Sequence, residues 1–184
     1  ILGVIYWSFS DLKPSLKREN STIPTDFSID NALHHLKNIS RKTHYVGSDE
    51  HKNVQKYIVS ELKKLGLTVE IETQTAVNKK WFAATTTENI IAKIKGSENG
   101  KALLLLSHYD SSPHSSLGAS DAGSGVVTIL EGIRAFLTKN TTPKNDIIIL
   151  ISDAEELGLL GAQAFVDNHS WSKDIGLVLN FEAR

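Results

Sequence analysis

Apolar residues recur along this chain at two different periods, and the switches between them outline an architecture. Ile29, Ala32, Leu33, Leu36 and Ile39 fall at helical spacing after Ser28. Val54, Tyr57, Ile58, Leu62 and Leu65 repeat that spacing, with Ser48 or Asp49 as a candidate N-cap and Gly66 as a candidate C-cap. The period then drops to two. LTVEIETQT (67–75) alternates like a half-buried strand, and ENIIAKIKG (88–96) reads as another, closed by the turn SENG. KALLLLS (101–107), IIILIS (147–152) and IGLVLNF (175–181) are short continuous apolar runs, the pattern of strands buried on both faces. Helical patterns separate them: ASDAGSGVVTILEGIRAFL (119–137), opening on an N-cap signal, and LGLLGAQAFVDN (157–168).

Buried strands alternating with helices predict an α/β fold, a three-layer sandwich with a mixed, centrally parallel sheet flanked by helices. The two earlier, alternating strands are expected as antiparallel additions on one side. Residues 8–26 are polar, with Pro14 and Pro24, so the chain divides into a lead-in over 1–27 and a domain over 28–184. The opening ILGVIYWSF carries no charge and is followed by DLKPSLKREN. Nine residues are too few to span a bilayer, which needs about 20. Two readings stand: the end of a transmembrane or signal segment, or an N-terminal strand or helix packed on the domain.

Bulk properties narrow the class only slightly. The 184 residues are 40% hydrophobic and 22% charged, ordinary for one globular domain. A net charge of −1 gives no reason to expect a nucleic-acid partner. The absence of cysteine excludes disulfides and thiolate metal sites. There is no methionine, even at position 1, so the chain reads as a processed or partial form. NST, NIS, NTT and NHS match the N-glycosylation pattern, but such short matches arise often by chance and assign no compartment.

Chemistry concentrates where the buried strands end. In open α/β sheets, ligands bind beyond the carboxyl ends of the strands. His108-Tyr109-Asp110 follow the first buried run, Asp153, Glu155 and Glu156 the second, and Glu182 the third, while Asp121 lies at a helix start. Each has a plain structural use. His108 fits a hydrogen-bonded core histidine, Asp121 an N-cap, Glu155 and Glu156 first-turn acids favoured by a helix dipole, and Glu182 an ion pair. Their arrival at one edge of one sheet favours a metal site instead. Crowded carboxylates raise one another's pKa, and a divalent cation relieves that repulsion. Imidazole with carboxylates suits zinc, manganese or cobalt. Asp110 is placed to accept the second ring N–H of His108, and adjacent glutamates can divide the roles of ligand and general base.

These motifs, SHYDS, GASDAGSGVVTILE, ISDAEELGLLGAQAFV and LNFEAR, together with HYVGSDEHKNVQKYIVSELKKLGLTVE, resemble the co-catalytic di-zinc aminopeptidase and glutamate-carboxypeptidase-like peptidases. The likeness covers about residues 28–184 and is nearest the endoplasmic-reticulum metallopeptidase and vacuolar membrane protease subgroup. It implies two zinc ions, with His108 and Glu182 on one, Glu156 on the other and Asp121 bridging them. It also implies Asp110 as the residue orienting His108, and Glu155 as the general base of an aminopeptidase-type exopeptidase acting on peptides or proteins. Glutamate at position 182, where many of these enzymes have aspartate, matches the membrane-protease subgroup. The family's remaining ligand is a histidine well downstream of that position, and none follows Glu182 in this chain. The expectation is therefore an N-terminal portion of a catalytic domain, weak or inactive alone. The subgroup implies a membrane-associated protein, with a membrane tether outside this segment and the domain on the non-cytoplasmic side, against a secreted or soluble alternative. His34, His35, His44, His51 and His169 are expected as surface or helix-end residues, and His114 as at most a lining residue of the cleft. Two rivals share the scaffold: a single-zinc glutaminyl cyclase, and a catalytically incomplete binding ectodomain. A plain α/β domain without metal is the third.

Overall fold

The structure, a computed structural model, describes residues 2–11, 23–114 and 116–183. Five strands form one sheet in the order β1-β2-β4-β3-β5: β1 (Val69–Asn78), β2 (Ala83–Ile94), β3 (Ala102–His108), β4 (Ile147–Ser152) and β5 (Ile175–Asn180). β3 runs parallel to both β4 and β5, while β1 and β2 form an antiparallel hairpin joined to β4. The register sets His108 beside Ser152 and Leu106 beside Asn180. Three parallel strands therefore finish at one edge, where their following residues can meet.

Alternation within the strands makes the sandwich. Ile149 and Ile151 of β4 join Ile90, Ala92 and Ile94 in a core beneath α2 (Ile29–Ile39), α3 (Asp49–Lys64) and α4 (Ser124–Thr138). Ile148 and Leu150 point the other way and pack with Ile91, Leu104 and Phe165, the last from α5 (Leu160–Asn168). A period of two on a sheet clothed on both faces leaves an unbroken apolar run in sequence, as IIILIS shows. Ser28 caps α2 and Ser48 caps α3, each accepting the backbone N–H three residues on.

Three features depart from the expected pattern. β5 is largely exposed, with Leu177, Val178 and Leu179 at 43–60%, because it is the edge strand of the described sheet and has a neighbour on one side only. α4 starts at Ser124 rather than within the opening ASDAG of the 119–137 pattern, because Asp121 and Ala122 have non-helical backbone angles in the kinked turn Ala119–Gly123. Residues 23–28 are not a free linker. Arg134 donates to the carbonyls of Pro24 and Asp26, and the buried Glu131 accepts the Ser28 N–H at 2.7 Å.

At the N-terminus, α1 (Leu2–Asp11) is a helix whose residues 3–10 are exposed in the described structure. The remainder of the lead-in, 12–22, lies outside the described residues. Among those described, no helix is long and apolar enough to cross a membrane.

One glycine fixes how α5 meets the sheet edge. A Cβ at Gly161 would collide with the Asp153 carbonyl oxygen and the Asn89 side chain. Gly161 also donates its N–H to that Asp153 carbonyl at 2.9 Å, and its own carbonyl accepts from Asn89 at 2.8 Å. Because the obstacle is backbone, the strain cannot be relieved by a rotamer change. Gly161→Ala should lower unfolding stability by roughly 1–3 kcal/mol, the range for overpacking. Urea denaturation measures this, and unchanged stability would contradict the tight contact.

Candidate metal centre

The polypeptide leaves β3 at His108, whose side chain is 1% exposed. Its ring is held at both nitrogens. Nδ1 lies 3.0 Å from the Asp110 carbonyl and 3.3 Å from Asp110 Oδ1. Nε2 lies 3.0 Å from Asp121 Oδ1, 3.4 Å from Glu182 Oε1 and 3.9 Å from Glu155 Oε2. One ring nitrogen of the imidazole thus points to Asp110 and the other into a group of carboxylates.

Each carboxylate arrives by its own route. Asp121 comes from the kinked turn before α4 and stays half exposed. Its interrupted helical geometry, absent from a simple N-cap, turns it toward His108. Glu182 follows β5, which the Phe181 N–H anchors to the Leu106 carbonyl at 2.8 Å. The first turn of α4 lies against this segment at Gly125, where a Cβ would meet the Phe181 carbonyl. Glu155 and Glu156 occupy a turn after β4, between Ala154 and Leu159, both of which have positive φ. The buried Asp110 carboxylate accepts both of their backbone N–H groups, Glu155 at 3.0 Å and Glu156 at 3.1 Å.

The electrostatics follow from this crowding. Burial pushes the His108 pKa down, but the Asp110 hydrogen bond and the charges of Asp110, Glu155 and Glu182 outweigh it and raise the value to about 9. Burial raises Glu155, with His108 opposing and Glu182, Asp110 and Glu156 adding to the rise. Glu156 is raised by burial first, then by Asp121 and Asp110. Carboxylates held above their usual range beside an imidazolium make a site short of positive charge.

The donors fit a cation. One ligand atom each from His108, Asp121 and Glu182 lies within 4.8 Å of the others. Nδ1 turned to Asp110 leaves Nε2 facing the carboxylates, the arrangement of a histidine ligand backed by a carboxylate. Imidazole plus carboxylate oxygen without thiolate is a donor set that zinc accepts. Glu156 lies outside that three-residue cluster but near enough for Asp121 to influence it.

The remaining histidines divide. His114 is exposed in a turn, and His34 lies on exposed α2 surface, hydrogen-bonded to Asn38. His169 ends α5 and stacks on Phe165 at 4.9 Å. His35 bonds the Tyr57 hydroxyl at 2.7 Å. His44 and His51, expected at the surface or at helix ends, are instead buried, at 1% and 3% exposed. His44 donates its backbone N–H to the Ser111 hydroxyl at 2.9 Å, and its carbonyl accepts the Ser111 N–H at 3.2 Å, next to Asp110. His51 reaches Asp153 at 2.8 Å. Sequence spacing carries no sign of that bond, since 102 residues separate its ends.

An α/β/α sandwich whose parallel strands deliver an imidazole and several carboxylates to one edge is a zinc-exopeptidase-like fold. The comparisons with known proteins give it a family. Residues 89–184, just over half of the chain, match the profile of Peptidase family M28, and the chain belongs to that family. It is 35% identical over 159 residues to a vacuolar membrane protease of Candida dubliniensis, covering 80% of this chain and 16% of that protein. It is 43% identical over 95 residues to the vacuolar membrane protease of Candida glabrata, covering 51% of this chain and 10% of the relative. The chain thus spans less than a fifth of these relatives' length. Among solved structures, a Zn-dependent exopeptidase from Parabacteroides distasonis is similar with a TM-score of 0.67 and 27% identity, covering 80% of this chain and 58% of that one. A Porphyromonas gingivalis glutaminyl cyclase is similar with a TM-score of 0.68 and 26% identity, covering 78% of this chain and 54% of the cyclase.

The His108 environment gives a pH signature. A raised pKa means that the imidazolium persists above pH 8 in metal-free protein and is lost as pH rises through about 9. Asp110→Asn removes the principal raising partner, so the titration should move downward. Histidine ring chemical shifts followed by NMR report it. A His108 midpoint at or below its ordinary value of about 6.5 in the parent protein would contradict the arrangement.

Proposed function

We propose that this chain supplies the metal-binding edge of a zinc-dependent exopeptidase, aminopeptidase-like in type, that hydrolyses peptide bonds with Glu155 as general base. The observation that carries the reading is the convergence of His108 Nε2 on Asp121 and Glu182, with Glu155 3.9 Å away and its turn tied to the same Asp110 that backs the histidine. Membership of Peptidase family M28 supports hydrolysis of peptides.

His108, Asp121 and Glu182 would hold one zinc ion, and Glu156, sharing Asp121, would serve a second. When bound, zinc supplies Lewis-acid polarisation of a carbonyl and lowers the pKa of water. Asp110 keeps the Nδ1 proton of His108 directed inward, so that Nε2 presents its lone pair to the site. Glu155 accepts the proton of the attacking water at its carboxylate and returns it to the departing amine. Its burial-raised pKa suits that exchange, because a base nearer neutrality both takes and gives a proton readily. The domain assignment over 28–184 belongs to the same proposal.

The curated relatives are named as vacuolar membrane proteases. Their names support membrane association for the intact protein. The similarity to a glutaminyl cyclase supports a second reading, cyclisation of N-terminal glutamine. Glu155, 3.9 Å from His108 Nε2, and the adjacent Glu156, whose pKa Asp121 helps to raise, favour hydrolysis at a two-metal centre.

In the intact, zinc-loaded protein, Glu155→Gln should leave metal content unchanged and lower peptidase kcat by roughly 100- to 10,000-fold, the contribution of a general base. Elemental analysis paired with release of free N-terminal amino acid checks both halves. Activity retained by Glu155→Gln would remove Glu155 from the base role. Pyroglutamate formed from a glutaminyl peptide, without amino-acid release, would favour the cyclase reading.

A further inference from the structure

Two turns must keep a fixed separation for this site to exist: His108–Asp110 after β3, and Asp153–Glu156 after β4. Asp110 joins them from the site side through the Glu155 and Glu156 N–H groups. A second connection runs behind them and starts on α3. His51, in the first turn of that helix, is 3% exposed. Its Nε2 lies 2.8 Å from Asp153 Oδ1. A carboxylate only accepts, so the imidazole is the donor. Its ring lies flat on Tyr109, with centroids 4.6 Å apart and planes 11° apart. Tyr109 is the residue between His108 and Asp110. One side chain therefore touches both turns.

The surroundings leave neither partner free to move. Asp153 Oδ1 also accepts the Ala154 N–H at 2.7 Å, and Oδ2 accepts the Glu88 N–H at 2.8 Å. The Asp153 N–H donates to Asn89 at 3.0 Å. Ala154, which follows, has a positive φ of 54°, a conformation that a non-glycine residue holds only when its neighbours impose it. Asp153 supplies that imposition, and His51 holds Asp153. The Tyr109 hydroxyl donates to the Glu88 carbonyl at 3.0 Å and accepts from Gln55 of α3 at 3.2 Å. β2, α3 and both turns thereby share one buried network.

We propose that His51 is a positioning residue of the centre: by holding Asp153 and stacking on Tyr109, it sets the Glu155–Glu156 turn against the His108–Asp110 turn. The role rests on the proposed peptidase reading for its catalytic consequence, but its structural part stands without it. His51 touches no reacting group.

Three substitutions separate this role from simple stabilisation. His51→Phe keeps a ring on Tyr109 and removes the donor. His51→Gln places an amide N–H near the level of Nε2 and restores the donor. His51→Asn ends near the level of Nδ1, falls short of Asp153, and replaces His51→Phe if the larger ring prevents folding. Amide hydrogen exchange in the metal-free chain is the first readout. In His51→Phe, exchange at Glu155 and Glu156 should rise at least about tenfold while Ile149 and Leu150 of β4 keep parent rates. His51→Gln should return exchange toward the parent. In the intact zinc-loaded protein, peptidase kcat should fall roughly 10- to 100-fold in His51→Phe, with KM within about twofold and partial recovery in His51→Gln, the size expected for a group supporting a metal site from behind.

Exchange that is unchanged at Glu155 and Glu156 would overturn the proposal. So would exchange that rises equally throughout β4, which marks a merely stabilising contact, or a His51→Gln variant as impaired as His51→Phe. If the exchange pattern appears but the parent protein releases no amino acids, the positioning role holds and the peptidase reading is what fails.

Discussion

The buried carboxylate of Asp110 is the constraint on which the site depends. It lies beside the His108 ring through Nδ1 and accepts the backbone N–H groups of Glu155 and Glu156. A carboxyl group only 1% exposed is tolerated in a protein interior only with such hydrogen-bond partners. The same contacts that make its burial tolerable also fix the imidazole and the glutamate turn relative to each other. Orientation of the candidate ligand and placement of the candidate base are thus one energetic event.

The sheet makes that event possible. β3 and β4 are parallel and in a register that sets His108 beside Ser152, so their following residues emerge together. β5 extends the parallel set and carries Glu182 to the same edge. Two tight backbone approaches, at Gly125 and Gly161, bring α4 and α5 close enough that neither residue could carry a side chain without displacement. Packing of the two helical layers and geometry of the polar edge are therefore coupled, as expected for close-packed interiors.

Much of this is legible in the amino-acid pattern, for physical reasons. A strand buried on both faces has to be apolar throughout, so KALLLLS and IIILIS stand out, and the polar residues that follow them mark the carboxyl edge. His108, Asp110, Glu155, Glu156 and Glu182 can be gathered from those rules, and Asp121 from its place at a helix start. Asp121 is less readable in detail: an N-cap signal and a turn that interrupts the helix look alike in sequence, and backbone angles at Asp121 and Ala122 separate them. β5 has the composition of a buried strand, and its exposure follows from its place at the end of the described sheet rather than from its own residues. His51 is the least legible residue, because its meaning lies in Asp153 and Tyr109, which are distant in sequence and carry no motif spacing with it. Family resemblance supplies roles for the ligands, while the network behind them emerges only from tertiary contacts.

Anomalous scattering at the zinc edge from crystals of the intact protein tests the central claim most directly. The account predicts zinc bound through His108 Nε2 with carboxylate oxygens from Asp121 and Glu182, a second ion reached by Glu156 and Asp121, and Glu155 adjacent but not coordinating. Zinc held elsewhere, or Glu155 serving as a ligand with His108 left on Asp110 and water alone, would contradict it.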